Sequence, residues 1–181
     1  KTFAAKMLTA YYDCDCDSRK LFDGRDISKT EDYASYLNQF NVICLDITSF
    51  TSDIKKSHGS LREVPEMIEN AIFKDLAEMR PLSKNDDSLN DYILRFVESE
   101  GGKPFIFIID EWDAVIREAK DDSAAQEAYL NLLRGRFKNN NFTPKAVAAA
   151  YMTGILPIKK DGSQSAISDF NEFSVIKPRQ F

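Results

Sequence analysis

Histidine, cysteine and glycine are scarce in this chain, and each scarcity removes a class of chemistry. The 181 residues include one histidine, three cysteines and seven glycines. A Ser-His-Asp or Cys-His arrangement would have to pass through His58, which sits in the polar run Lys55-Lys56-Ser57-His58-Gly59 and reads as a solvated loop residue. Cys14, Cys16 and Cys44 are too few for a disulfide framework, and Cys14 and Cys16 lack the further ligands that a zinc site requires. An odd set of thiols, with a start that does not read as a secretory leader, is expected in the reducing cytosol. No apolar run approaches the roughly 20 residues that span a bilayer. Basic residues are outnumbered, 24 against 29 acids, so the net charge of −5 offers no general attraction for nucleic acid.

What is present is the composition of an ordinary globular protein. Without an internal repeat or low-complexity tract, the chain is expected to form one domain over residues 1–181. It is organised around Phe105-Ile106-Phe107-Ile108-Ile109-Asp110-Glu111-Trp112-Asp113. A short unbroken apolar run after Gly101-Gly102-Lys103-Pro104 predicts a strand buried on both faces. Its acids then emerge at the C-terminal edge of a sheet, where open α/β folds place their ligands. Carboxylates there suit a hard cation such as Mg²⁺, which takes one or two of them together with phosphate and water oxygens. This is the form of a Walker B motif, with Asp110 toward the metal and Glu111 toward an attacking water. Apolar strands ending in Asp also occur in phospho-acceptor domains, and acids after a strand can simply cap the next segment.

The remaining elements follow from periodicity. Phe3, Met7, Leu8 and Tyr11 share one face of an expected first helix through Tyr12. Asp13-Cys14-Asp15-Cys16-Asp17-Ser18 invites a calcium-loop reading, but an EF-hand needs Gly where Ser18 stands and Glu where Gly24 stands. Those acids are expected instead to make a polar loop capping Ser18–Phe22, with helical propensity returning over Glu31–Gln39. Asn41–Ile47 predicts a second buried strand running into the polar Thr48–Ser52. Leu61–Met79 predicts a helix with Val64, Met67, Ile68, Ala71, Ile72 and Leu76 on its apolar stripe and Pro65 in its first turns. Ser88 is expected to cap a helix that buries Leu89, Tyr92, Ile93, Phe96 and Val97.

Beyond the acids, Ala114–Ala119 reads as a short helix. Asp121-Asp122-Ser123 opens a longer one to Phe137, with Ala125, Ala128, Tyr129, Leu132, Leu133 and Phe137 inward. Arg134 and Arg136 suit the negative end of its dipole, and could alternatively meet phosphate or a partner. Lys145–Gly154, bounded by Pro144 and Gly154, is expected to be a strand, so that Thr153 stands at a strand end beside Asp110. Ile155–Asp169 reads as a loop and Phe173–Ile176 as a last short strand. Lys1-Thr2 at a helix start matches the tail of the P-loop pattern G-x-x-x-x-G-K-[ST], in which the Lys reaches phosphates and the Thr hydroxyl binds Mg²⁺.

Taken together, these stretches resemble the bacterial AAA-ATPase-like family, whose members often carry a C-terminal nuclease-like domain of the PD-(D/E)XK type. Lys1-Thr2 looks like the end of that family's Arg-Arg-Phe-Gly-Lys-Thr loop, and Asp17–Gly24 is similar to the segment after its first helix. Ile109-Asp110-Glu111-Trp112-Asp113 is similar to its Ile-Asp-Glu-Tyr-Asp, and Met152–Ile158, followed by Ser165 and Phe173-Ser174, to its Thr-Gly-Ile region. Thr30–Lys103 matches only in pattern. The resemblance implies a three-layer P-loop NTPase-like domain, a mostly parallel sheet with helices on both faces. It implies ATP and Mg²⁺ as ligands, Lys1 and Thr2 on the nucleotide, Thr2 and Asp110 on the metal, and Glu111 and Thr153 as catalytic groups. Asp113 matches the pattern with no role attached. The family's first strand and loop glycines are missing from these residues. The chain is therefore expected to be a piece of a larger one, truncated at both ends and inactive alone.

Three functions stay in view. The first is Mg²⁺-dependent ATP hydrolysis, possible as a homo-oligomer and in control of an attached nuclease-like domain, with Arg117, Arg134 and Arg136 as candidate arginine fingers. The second is a nucleotide-sensing pseudo-ATPase without turnover. The third is a phospho-acceptor domain with Asp110 as nucleophile and Lys177 as its partner, which lacks the early strand ending in acids that it needs.

Overall fold

The structure, a computed structural model, describes residues 1–81, 88–99, 101–156 and 170–173. Three strands, β1 (Asn41–Asp46), β2 (Phe105–Asp110) and β3 (Val147–Met152), form a parallel sheet with β2 in the middle. Helix α1 (Thr2–Tyr12) and the short α2 (Arg19–Phe22) and α3 (Tyr33–Tyr36) precede the sheet. Parallel neighbours need long crossovers. The first runs through α4 (Ile47–Lys56), α5 (Val64–Met79) and α6 (Leu89–Ser99). The second runs through α7 (Ala114–Glu118), α8 (Ser123–Phe137) and α9 (Thr143–Ala146). Among the described residues no helix is long and apolar enough to cross a membrane.

All six residues of β2 are buried, which is why its sequence runs apolar without alternation. Successive side chains point to opposite faces of a strand. Phe105, Phe107 and Ile109 join the main core with Ile68 and Ile72 of α5, Ile93 and Phe96 of α6, and Tyr129 and Leu133 of α8. Ile106 and Ile108 face the other way, against Ala5, Leu8 and Tyr12 of α1. Helices therefore cover both faces of the central strand. Each large apolar side chain buried this way contributes about 1.5–3 kcal/mol.

Several local expectations are corrected. Ile47, expected as the last residue of the strand, instead opens the helix α4, which takes in the polar Thr48–Ser52. Asp46 accepts the Thr48 N–H at 2.9 Å as its N-cap, and Ile47, Thr51 and Ile54 bury one face. Serine and threonine lower intrinsic propensity there, but a cap and a packed stripe outweigh that small cost. Helix over Glu31–Gln39 contracts to the single turn of α3. Phe3 is 76% exposed, because α1 turns Ala5 toward the sheet and Tyr11 toward a small cluster with Phe22, Tyr33 and Leu37. The acids expected to cap Ser18–Phe22 do not do so: α2 has no side-chain cap, and the buried Ser18 at its start donates to Asn38 Oδ1 at 3.1 Å. On α8, Leu130 is buried where Ala128 and Leu132 are only half-buried. Of the strand expected over Phe173–Ile176, Phe173 is described and not in a strand, while residues 174–176, like residues 157–169 and Lys177, lie outside the described residues.

Candidate active site

A parallel sheet gathers the ends of its strands at one edge. Asp46 and Asp110 are register partners at that edge, and Thr153 follows the end of β3. Asp46 is occupied as the cap of α4, whereas Asp110 is 4% exposed and looks to other partners. The Thr153 hydroxyl donates to Asp110 Oδ1 and accepts the Glu111 N–H at 3.3 Å. Backbone bonds lock the pair in place, with Thr153 N–H on the Ile109 carbonyl at 2.9 Å and Trp112 N–H on the Thr153 carbonyl at 2.8 Å. From the start of α1, the Lys1 ammonium donates to the Gly154 carbonyl, and the Thr2 hydroxyl interacts with the Asp110 carboxylate. Lys1-Thr2, Asp110-Glu111 and Thr153, far apart in sequence, thus meet around one carboxylate.

Burial works to raise the Asp110 pKa, but hydrogen bonds from Thr153, Thr2 and the Glu111 backbone outweigh it and hold the carboxyl below its ordinary value. Asp110 is therefore an anion at neutral pH. A depressed native pKa adds stability above the unfolded-state value near 3.8, and that stability is lost as pH falls through the lower folded value. Asp110→Asn is accordingly expected to lower the urea midpoint at pH 7. It is also expected to flatten the acid limb of stability below about pH 4, read from urea titrations between neutral and acid pH.

Glu111 faces a different neighbour. Its Oε2 accepts from Arg117 Nη2 at 2.6 Å, and Arg117 Nε lies 3.1 Å from Oδ2 of Asp113, whose side chain is fully buried. The same Asp113 oxygen accepts the backbone N–H groups of Ile155 and Leu156 at 3.1 and 2.8 Å. Glu111 has φ +51°, the left-handed region that a non-glycine residue rarely adopts. Such strain persists only where the surroundings over-determine it, and here the Thr153 hydroxyl and the Arg117 guanidinium hold the residue at both ends.

Trp112 and Gly154 complete the floor. Trp112 is buried, and its carbonyl accepts the Tyr129 hydroxyl at 2.7 Å. That phenol stays protonated, its pKa raised first by burial and then by the charge of Asp113. A Cβ on Gly154 would come within 2.5 Å of Trp112 Nε1 and 2.8 Å of Asp113 Oδ1, so glycine is required there by close approach.

The expected site residues Lys1, Thr2, Asp110, Glu111 and Thr153 are brought to one edge, where Arg117, expected only among three candidate arginine fingers, pairs within its own chain, and where Gly154 had been given no role. The Asp113–Arg117 spacing of four on a helix was the available signal. Arg134 and Arg136 are committed elsewhere. Arg134 pairs with Glu127 at 2.5 Å, and the buried Arg136 pairs with Glu69 and Asn90, each at 2.5 Å. Among the described residues no group of three His, Cys, Asp or Glu side chains is placed to hold a metal by itself. A cation at Asp110 would draw its other ligands from hydroxyls, water and substrate, which is how Mg²⁺ is usually bound.

The family described as predicted AAA-ATPase, AAA-ATPase-like, matches residues 1–163. No curated protein and no solved structure gives a significant match. With the family pattern covering both ends of the site, from Lys1 through Asp110 to Thr153, the chain belongs to the AAA-ATPase-like family of predicted AAA-ATPases.

Proposed function

We propose that this chain is the nucleotide-binding domain of a Mg²⁺-dependent ATPase. The observation that carries the reading is the convergence of Lys1-Thr2 and Thr153 on Asp110, with Glu111 next in the chain. Asp110 and the Thr2 hydroxyl are hard oxygen donors and would hold Mg²⁺, which fits the ionised state of Asp110. Bound Mg²⁺ supplies charge neutralisation at the phosphate oxygens. Lys1, at the positive end of α1, offsets phosphate charge beside it. Thr153 keeps Asp110 oriented through its hydroxyl. Glu111 orients the attacking water, the part a carboxylate plays where phosphoryl transfer is governed by positioning and charge. Control of an attached nuclease-like domain, and assembly with further copies, follow from family analogy alone.

The test is ATP binding and phosphate release by a version extended upstream of Lys1, so that the loop implied by the P-loop resemblance is present. Wild type is expected to bind and hydrolyse ATP only with Mg²⁺. Lys1→Ala is expected to weaken ATP binding roughly 10–100-fold, the worth of a hydrogen bond to a charged group, and Thr2→Ala to raise the Mg²⁺ concentration needed. Binding without any turnover would make the domain a nucleotide sensor. No binding at all would remove the nucleotide reading.

A further inference from the structure

The Arg117 guanidinium joins two acids that the ATPase reading leaves unconnected. Asp113 is fully buried, and a buried carboxylate is costly unless it is paired and hydrogen-bonded. Its Oδ2 accepts the amides of Ile155 and Leu156, the two residues that follow Gly154, and lies 3.1 Å from Arg117 Nε as a charge pair without hydrogen-bond geometry, while Oδ1 has no hydrogen-bond partner among the described residues. Charge attraction to the buried Asp113 carboxylate holds the root of the Arg117 side chain beside it. Its outer edge then reaches Glu111 Oε2 at 2.6 Å. The planar fork of arginine can hold two partners in one rigid geometry, which a lysine cannot reproduce. Among the described residues none donates a hydrogen bond to Glu111 Oε1. One oxygen of the carboxylate is therefore anchored and the other is left for a water.

We propose that Arg117, seated on Asp113, is a positioning residue that anchors Glu111 Oε2 so that Oε1 is presented to the attacking water. The proposal rests on the ATPase reading. It also gives Asp113 a part: through the Ile155 and Leu156 amides, Asp113 ties the anchor to the segment that carries Thr153 and Gly154. Arg117 is thereby committed to its own chain and is not available to a neighbouring subunit as an arginine finger.

The experiment uses the version extended upstream of Lys1, with Mg²⁺ and ATP. Arg117→Ala is expected to lower kcat roughly 10–100-fold, as loss of an orienting partner commonly does, with KM for ATP within about twofold because binding groups are untouched. Arg117→Lys keeps a cation beside Asp113 and is expected to fold and recover only part of kcat. Acting through Glu111, Arg117→Ala should add no further loss to the residual turnover of Glu111→Gln. Unchanged kcat in folded Arg117→Lys and Arg117→Ala, or the same fold-loss in both backgrounds, would overturn the proposal. A separate readout needs no turnover. The side-chain ¹⁵N signals of Arg117 should show a restrained guanidinium in wild type and a mobile one in Glu111→Ala. If wild type does not hydrolyse ATP but those signals behave as expected, the ATPase reading fails and the anchor stands. If the guanidinium signals are indifferent to Glu111, the anchor itself is wrong.

Discussion

Glu111→Gln is expected to bind ATP as wild type does and to hydrolyse it on the order of 10²–10⁴-fold more slowly, the range associated with loss of a positioned general base. Glutamine keeps the length of glutamate and a carbonyl oxygen that can still accept from Arg117. What it loses is the negative charge that, in the proposed mechanism, orients and polarises water. The backbone at φ +51° is no more hospitable to one residue than to the other, so the substitution separates charge from shape. Phosphate release under saturating ATP gives the rate, and displacement of a fluorescent nucleotide gives the affinity, both on the version extended upstream of Lys1. Turnover at the wild-type rate would remove Glu111 from the chemistry. Loss of binding would mean that the residue shapes the pocket instead.

The largest effect on stability is expected at Phe107→Ala, with a loss of about 3–5 kcal/mol. Phe107 is 1% exposed at the middle of the central strand, edge-on to Phe137 at 5.5 Å and tilted against Phe105 at 6.4 Å. Its truncation removes transfer energy and leaves a cavity between the sheet and α8, which a close-packed interior does not refill. Phe3→Ala is the matched control. The same deletion at a residue 76% exposed is expected to fall within about 0.5 kcal/mol. Urea midpoints at constant m-value decide both. Equal losses at the two positions would contradict the arrangement of α1 on the sheet. The functional consequence of Phe107→Ala follows from β2 itself, since the strand that loses its packing delivers Asp110 and Glu111.

The readable parts of this sequence are those where one local period answers to one environment. The unbroken Phe105–Ile109 run meant a strand covered on both faces, and its covers are α1 on one side and α5, α6 and α8 on the other. The five apolar positions expected on the helix after Ser88 are the five buried residues of α6. Lys145–Gly154 is expected as a strand, and Val147–Met152 forms β3, whereas Lys145 and Ala146 belong with Pro144 to α9. Where composition offers no clear period, no element is expected from it. Thr48–Ser52 has the composition of a loop, yet it folds as α4 because Asp46 caps it and the core needs Ile47 and Ile54.

Arginines show the limit most clearly. Arg117, Arg134 and Arg136 are equal candidates until the four-residue step from Asp113 to Arg117 is weighed, but one bridges Glu111 and Asp113, one pairs along its own helix with Glu127, and one is buried with Glu69 of α5. By itself, the sequence determined the buried strand ending in acids, the Lys-Thr helix start and the threonine at a later strand end. Each is a local pattern of residue type and period. Only the tertiary structure decided that these meet around Asp110, that Glu111 sits in a left-handed backbone, and that Arg117 rather than solvent holds its carboxylate. The physical reason is that an ion pair depends on the directions in which separate elements aim their side chains. It depends equally on the cost of leaving Asp113 buried without a partner, and neither quantity is written in any local stretch of the chain.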